Sequence, residues 1–200
     1  MEIEYREGQK KDCLRIAEFI SIASGGIVDF LFQDLTPGIT PAEAMAGNLA
    51  RDREPYTFRN AIVAASEGNL LGTALAYPSI YHGISDGMRS FFPEQRLKVL
   101  EEFYASRVEH SLYLDAIAVE EAFRSHGIGR GLISLVKEKA RRQGLKSVSL
   151  IALADNIHAR HLYEQLGFHD MKHIRLESQE RIPHEGGCVL MNCEDLETSP

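Results

Sequence analysis

The run Arg124-Ser125-His126-Gly127-Ile128-Gly129 has the residue types and spacing to hold a phosphate group. It lies between a strand-like apolar segment, Leu112 to Val119, and a helix-like segment, Ile128 to Arg142. Glycines at 127 and 129 let the backbone approach a ligand and adopt dihedrals that a β-carbon hinders, leaving amide N–H groups free to point outward. The first turn of the following helix adds unpaired donors and a partial positive charge, and Arg124 and Arg130 add full charges. A pyrophosphate suits such a turn. A glycine pair before a helix also serves many strand-to-helix turns merely as a change of direction.

A second strand-helix unit follows. Ser147 to Leu153 reads as a strand, and Asp155-Asn156 open a helix carrying Ala159, Leu162, Tyr163 and Leu166 on one face before it stops at Gly167-Phe168. Together the two units resemble the GCN5-related N-acetyltransferase (GNAT) superfamily, whose members bind acetyl-CoA and pass its acetyl group to an amine. The superfamily's acetyl-CoA motif, Arg or Gln, two residues, Gly, one residue, Gly or Ala, is met by Arg124, Gly127 and Gly129 after the apolar strand end Ile117-Ala118-Val119. Its next motif resembles Asn156, Ala159, Leu162, Tyr163 and Leu166-Gly167-Phe168. The close match covers Leu112 to Phe168, with the flanking elements agreeing in order and type.

The resemblance implies an α/β (α+β) fold with a mixed, mostly antiparallel central sheet of about seven strands flanked by helices. It implies acetyl-CoA as cosubstrate and direct attack by the primary amine of a small molecule or peptide in a ternary complex. The backbone of Ile117, Ala118 and Val119 would pair with the pantetheine arm as an added strand does. Arg124, Ser125, His126, Gly127, Ile128, Gly129 and Arg130 would hold the pyrophosphate. A backbone N–H near Val119 would polarise the thioester carbonyl. Tyr163 stands where the motif often carries a tyrosine, and its phenol would protonate the departing thiolate; packing on Phe168 and Leu166 is the alternative role. Asp115 is the first candidate base for the incoming ammonium, because it shares side-chain parity with Tyr113 and Ile117 if no bulge intervenes. A structural acid at the same place is the competing reading, and Glu109 and His110 are reserves. Asn156 is read both as a helix N-cap, with Asp155 competing for that role, and as a contact to the CoA arm. His126 is either a phosphate contact or a solvent-facing filler.

These residues need elements to position them. Ile3 to Arg6 reads as a first strand, and Lys11 to Ala23 as an amphipathic helix with Leu14, Ala17, Phe19 and Ile20 toward the core, ended by Ser24-Gly25-Gly26. Thr40, Pro41 and Glu43 give an N-cap, a first-turn proline and a capping-box acid for a helix from Pro41 to Arg51. Ala61 to Ser66 and Leu70 to Tyr77 form a hairpin around Glu67-Gly68-Asn69, while Phe168 to Glu177 and Cys188 to Cys193 are closing strands. Between Tyr77 and Ser111 the chain departs from minimal members of the superfamily. A helix is expected from Pro93 to about Val108, with Leu97, Leu100, Tyr104 and Val108 on its buried face. A packing helix is the first reading of this 78–110 insertion; the functional reading is that, with the Gly25 to Pro37 stretch, it builds one wall of an acceptor pocket or a dimer contact.

With 200 residues and 44% apolar content the chain suits one domain, and the resemblance implies residues 111–168 as its acetyl-CoA-binding core. A net charge of -7 argues against an extended nucleic-acid surface, which needs clustered cations. Cys13, Cys188 and Cys193 form no metal-ligand spacing and no even disulfide set, which fits a reducing compartment. The eight histidines lack ligand spacing with carboxylate or cysteine partners, so no metal is expected. No apolar run approaches membrane-spanning length, and the acidic start is unlike a secretory signal, so a cytoplasmic location without membrane attachment is expected. A noncatalytic acyl-CoA-binding sensor is the alternative function. A dinucleotide-binding Rossmann domain fits less well, because the glycine pattern lacks a leading Gly-X-Gly and occurs late in the chain.

Overall fold

The computed structural model describes residues 2–197. In chain order its elements are β1 (Glu4–Glu7), α1 (Cys13–Ala23), α2 (Ile27–Phe32), α3 (Pro41–Leu49), β2 (Ala61–Ser66), β3 (Asn69–Pro78), α4 (Asp86–Phe91), α5 (Glu94–Val99), α6 (Glu101–Ala105), β4 (Ser111–Val119), α7 (Ile128–Arg142), β5 (Ser147–Leu153), α8 (Ile157–Gln165), β6 (His169–Ile174) and β7 (Cys188–Cys193). The strands form one seven-stranded sheet in the order β1-β2-β3-β4-β5-β7-β6. Every neighbouring pair is antiparallel except β4 and β5, which run parallel across the α7 crossover. The mixed, mostly antiparallel sheet flanked by helices matches the expected architecture.

Local chemistry explains most boundaries. At α3, Thr40 Oγ1 accepts from Glu43 N at 3.2 Å and Glu43 Oε2 accepts from Thr40 N at 2.6 Å, a reciprocal cap that fixes the helix start at Pro41. The hairpin turn is Glu67-Gly68, with φ of 50° and 81°, the paired positive values that suit the strand twist. In α7, Ile128, Leu132, Ile133, Val136 and Ala140 recur at helical spacing and are buried, while Lys139, Arg141 and Arg142 fill its last turn, where cations favour the helix dipole.

The sheet carries cores on both faces. On one, α7 and α8 cover Leu112, Leu114, Val148, Leu150, Val189 and Met191. On the other, α1 and α3 cover Val63, Leu75, Tyr77, Tyr113 and Ala116, and α2 with α5 closes over Ile174, Cys188 and Leu190.

Three expectations need correction. Leu14 is 48% exposed, because the buried stripe of α1 is Cys13, Ile16, Ala17, Phe19 and Ile20. Between β3 and β4 the helix expected from Pro93 is split into α5 and α6, with α4 formed ahead of it, and the chain leaves helical geometry at Leu100 (φ -100°, ψ 10°). The break lets Leu97 and Leu100 pack with Ile27, Phe30 and Leu31, while Phe103 and Tyr104 turn toward His82. The strand expected from Phe168 to Glu177 is shorter, His169–Ile174. Among the described residues no helix is long and apolar enough to cross a membrane.

Candidate active site

The two central strands part company. β4 and β5 pair from Ser111 with Ser147 to Leu114 with Leu150, and there their ladder ends. Beyond it β4 keeps its other neighbour down to Gly72 with Val119, and β5 keeps β7 down to Leu153 with Cys188. The β5-facing edge of Asp115 to Val119 is therefore left without a strand partner. Unpaired N–H and C=O groups along such an edge can bind an extended, amide-bearing chain.

A turn at the open end of β4 leads directly into α7. Ser125 and Gly127 both have positive φ, 63° and 79°, and Gly127 is the N-cap residue of the helix. A β-carbon built at Gly127 meets no atom within 4 Å, so the space before the helix terminus is clear. Arg124 Nε donates to Val119 O at 3.2 Å, tying the turn to the strand end, and His126 Nδ1 donates to Arg124 O at 2.8 Å. Arg130 reaches across to Gln165 Oε1 of α8 at 3.1 Å. Arg124, Ser125, His126 and Arg130 are exposed, whereas the Ile128 side chain is core and leaves only its backbone at the turn. Ile117, Ala118 and Val119 are half-buried on the free stretch of β4.

Asp115 lies at a β-bulge. Leu75 pairs with Ala116 and Ala76 with Leu114, so Asp115 has no residue opposite on β3. The bulge splits the expected parity: Asp115 lies with Tyr77 and Tyr113 on the α1 side, but Ile117 packs into the opposite core. The Asp115 Oδ1 accepts from the Tyr77 hydroxyl at 2.6 Å and from the Tyr56 hydroxyl at 3.2 Å. Burial pushes its carboxyl up to about 6, opposed by these two phenols. His82 stacks on Tyr113 at 4.1 Å between ring centroids and stays neutral, pushed down to about 4 by burial. Glu109 and His110 are exposed at the far end of β4, with Glu109 paired to Arg107.

Tyr163 belongs to the α7–α8 core and is 8% exposed, its ring centroid 5.8 Å from that of Phe168. Burial pushes its phenol up to about 12, so it stays protonated at neutral pH. Its hydroxyl has no hydrogen-bond partner among the described residues. The end of α8 is pinned by the buried Lys137, whose Nζ donates to Leu166 O at 2.8 Å. Asn156 caps α8, accepting from Ala159 N at 3.2 Å; Asp155, the competing cap, instead accepts from His184 Nδ1 and Glu185 N. Tyr163 and Asp115 thus lie on opposite faces of the sheet, and the β4–β5 ladder ends at Leu114, next to Asp115.

The insertion braces the segment after α1. Arg96 donates to Leu31 O and Gln33 O at 2.8 and 2.6 Å, and Phe32 packs against Phe91 and Phe92. Beyond α2, a cavity of about 300 Å³ lies between Asp29, Phe32, Gln33, Asp34 and Arg181. Tyr56, Tyr77 and His82 were not singled out in the sequence; the one local signal was a tyrosine at the end of β3, in register with Tyr113. Among the described residues no group of three or more His, Cys, Asp or Glu could hold a metal ion.

Residues 30–168 match the acetyltransferase (GNAT) family. N-alpha-acetyltransferase 40 of Saccharomyces cerevisiae is 35% identical over 95 residues, covering 42% of this chain and 33% of that protein. N-alpha-acetyltransferase 30 of the same yeast is 34% identical over 62 residues, covering 31% of this chain and 35% of that protein. The chain thus spans about a third of the length of these two relatives. Among solved structures, an N-acetyltransferase from Staphylococcus aureus Mu50 superposes with a TM-score of 0.70 at 16% identity, covering 94% of this chain and 99% of that one. Ard1 from Thermoplasma volcanium superposes with a TM-score of 0.58 at 20% identity, covering 96% and 97%. At these identities the likeness is one of fold.

Proposed function

The chain belongs to the acetyltransferase (GNAT) family, and on that premise we propose that it is an acetyl-CoA-dependent N-acetyltransferase acting on a primary amine by direct attack. The observation that carries the reading is the loss of β4–β5 pairing after Leu114 beside a clear, glycine-capped helix terminus. The free edge of Ile117, Ala118 and Val119 suits the two amides of a pantetheine arm. The turn from Arg124 to Arg130, through the N–H groups of Gly127, Ile128 and Gly129, suits the pyrophosphate. Asn156 acts chiefly as a cap, which sets the start of the helix that carries Tyr163.

The residues divide the chemistry between the two faces of the sheet. Asp115 takes a proton from the ammonium on the α1 face, freeing the nitrogen lone pair. The backbone N–H near Val119 donates to the thioester oxygen as negative charge develops there. The nitrogen–carbon bond forms as the carbon–sulfur bond breaks, and Tyr163 gives its phenolic proton to the departing sulfur. Tyr163→Phe is expected to lower kcat roughly 10²-fold, within the range for one proton-transfer group, with acetyl-CoA affinity nearly unchanged. Full turnover in that variant, with chemistry rate-limiting, would remove the general-acid role.

Both curated relatives act, by name, on α-amines, so the favoured acceptor is the free N-terminus of a peptide. The Arg96-braced segment from Phe32 to Pro41 would form one side of its path. Thiol release measured with acetyl-CoA and tetrapeptides bearing a free N-terminus, beside spermidine and N-α-acetyl-lysine, tests the choice. Turnover with the tetrapeptides alone supports it, and turnover confined to spermidine moves the assignment to small polyamines. Acetyl-CoA binding without turnover on any amine would favour the sensor reading.

A further inference from the structure

Asp115 is gripped on one side only. Both phenols that reach it, Tyr77 at 2.6 Å and Tyr56 at 3.2 Å, donate to Oδ1. Oδ2 has no hydrogen-bond partner among the described residues and keeps some contact with solvent. The donors come from separate elements: Tyr77 from the end of β3, and Tyr56 from the segment between α3 and β2. Their rings pack against each other with centroids 5.8 Å apart, and Tyr77 packs on Tyr113 at 5.7 Å, so neither phenol swings freely. The bulge turns Asp115 toward this pair.

We propose that Tyr77 and Tyr56 are positioning residues that tie Oδ1, leave Oδ2 as the proton-accepting oxygen, and hold the negative charge of Asp115 where an ammonium can use it. The proposal rests on the reading of Asp115 as the base. The titratable groups facing Asp115 are the phenols of Tyr56, Tyr77, Tyr104 and Tyr113, and among the described residues no cation pairs with it. Burial favours the neutral acid, and only the two phenolic donors oppose it. Donation to a carboxylate stabilises its charged form selectively, so removing a donor shifts proton affinity as well as geometry. The pH at which transfer switches on is thereby set from β3 and from the chain before β2.

The test is a pH titration of the Asp115 side-chain carboxyl by ¹³C NMR on the full chain, assigned with Asp115→Asn, in the wild type, Tyr77→Phe and Tyr56→Phe. The wild-type midpoint is expected near 6. Tyr77→Phe should raise it by about one unit, the size of one hydrogen bond to a charged group, and Tyr56→Phe by less because its contact is longer. The acid limb of kcat/KM with a free-N-terminus tetrapeptide should move upward in step. A purely structural role for the tyrosines would lower kcat/KM at every pH and move neither midpoint nor limb. If Tyr77→Phe fails to fold, Tyr56→Phe decides, since its residue lies outside the sheet. Midpoints within about 0.2 unit of wild type in the folded variants overturn the proposal. An acid limb that survives in Asp115→Asn would instead overturn the reading of Asp115 as the base, whatever the tyrosines do.

Discussion

Replacing Asp115 by asparagine is expected to lower kcat/KM for acetyl transfer roughly 10²–10⁴-fold, the range for a lost general base, and to remove the acid limb of its pH profile near 6. The substitution is close to isosteric. The asparagine carbonyl can still accept from Tyr77 and Tyr56, so the pocket keeps its shape while losing its charge. Stability should move in the opposite direction to activity. A folded-state carboxyl near 6 lies above its ordinary value of 3.8, so its favourable contribution is full below about pH 4 and is lost as pH rises through 6. Above that range the wild type carries a half-buried, poorly solvated anion that the amide variant lacks. The melting temperature of Asp115→Asn relative to wild type should therefore rise between pH 4 and 7. A variant that melts earlier at pH 8 than the wild type and loses activity would mark Asp115 as a structural acid.

Gly127→Val is the second large effect. Gly127 has φ of 79°, and a β-carbon there meets no protein atom within 4 Å. The fold loses only the cost of a left-handed dihedral, about 1–2 kcal/mol, and more for a β-branched side chain. Binding loses far more, because the side chain fills the space before the α7 terminus where phosphate oxygens would meet the N–H groups. Losing two such charge-assisted hydrogen bonds at roughly 1.5–3 kcal/mol each predicts acetyl-CoA affinity weakened by 10²-fold or more. Calorimetry beside a thermal melt separates the two. Wild-type affinity in a destabilised variant would reduce the turn to a change of direction.

Local patterns made much of the fold legible. The helix from Ile128 to Arg142 and the strands Ser147–Leu153 and Cys188–Cys193 fall where apolar period and glycine boundaries predict them. The α3 cap was equally plain, since Thr40 and Glu43 settle it between themselves. What stayed hidden depends on partners distant in sequence. The bulge at Asp115 is a mismatch of register between β3 and β4, invisible in either strand alone. Helical spacing from Leu97 to Val108 fitted one helix, yet packing over α2 and His82 broke it at Leu100. The short α2 escaped because Gly25-Gly26 reads as a loop; Gly26, at φ 92°, lets that corner press on Arg181 O, 1.8 Å from where a β-carbon would stand. The phosphate turn is contiguous and could be read directly. The Asp115 pocket gathers Tyr56, Tyr77 and Tyr113 across 58 residues of chain, and only folding brings them together.

Calorimetric titration of the full chain with acetyl-CoA, run beside NAD and ATP, tests the central claim most directly. Micromolar binding of acetyl-CoA, about 8 kcal/mol, with no comparable binding of NAD or ATP, is the predicted result. NAD or ATP binding as tightly as acetyl-CoA, or no binding of acetyl-CoA at all, would contradict the account.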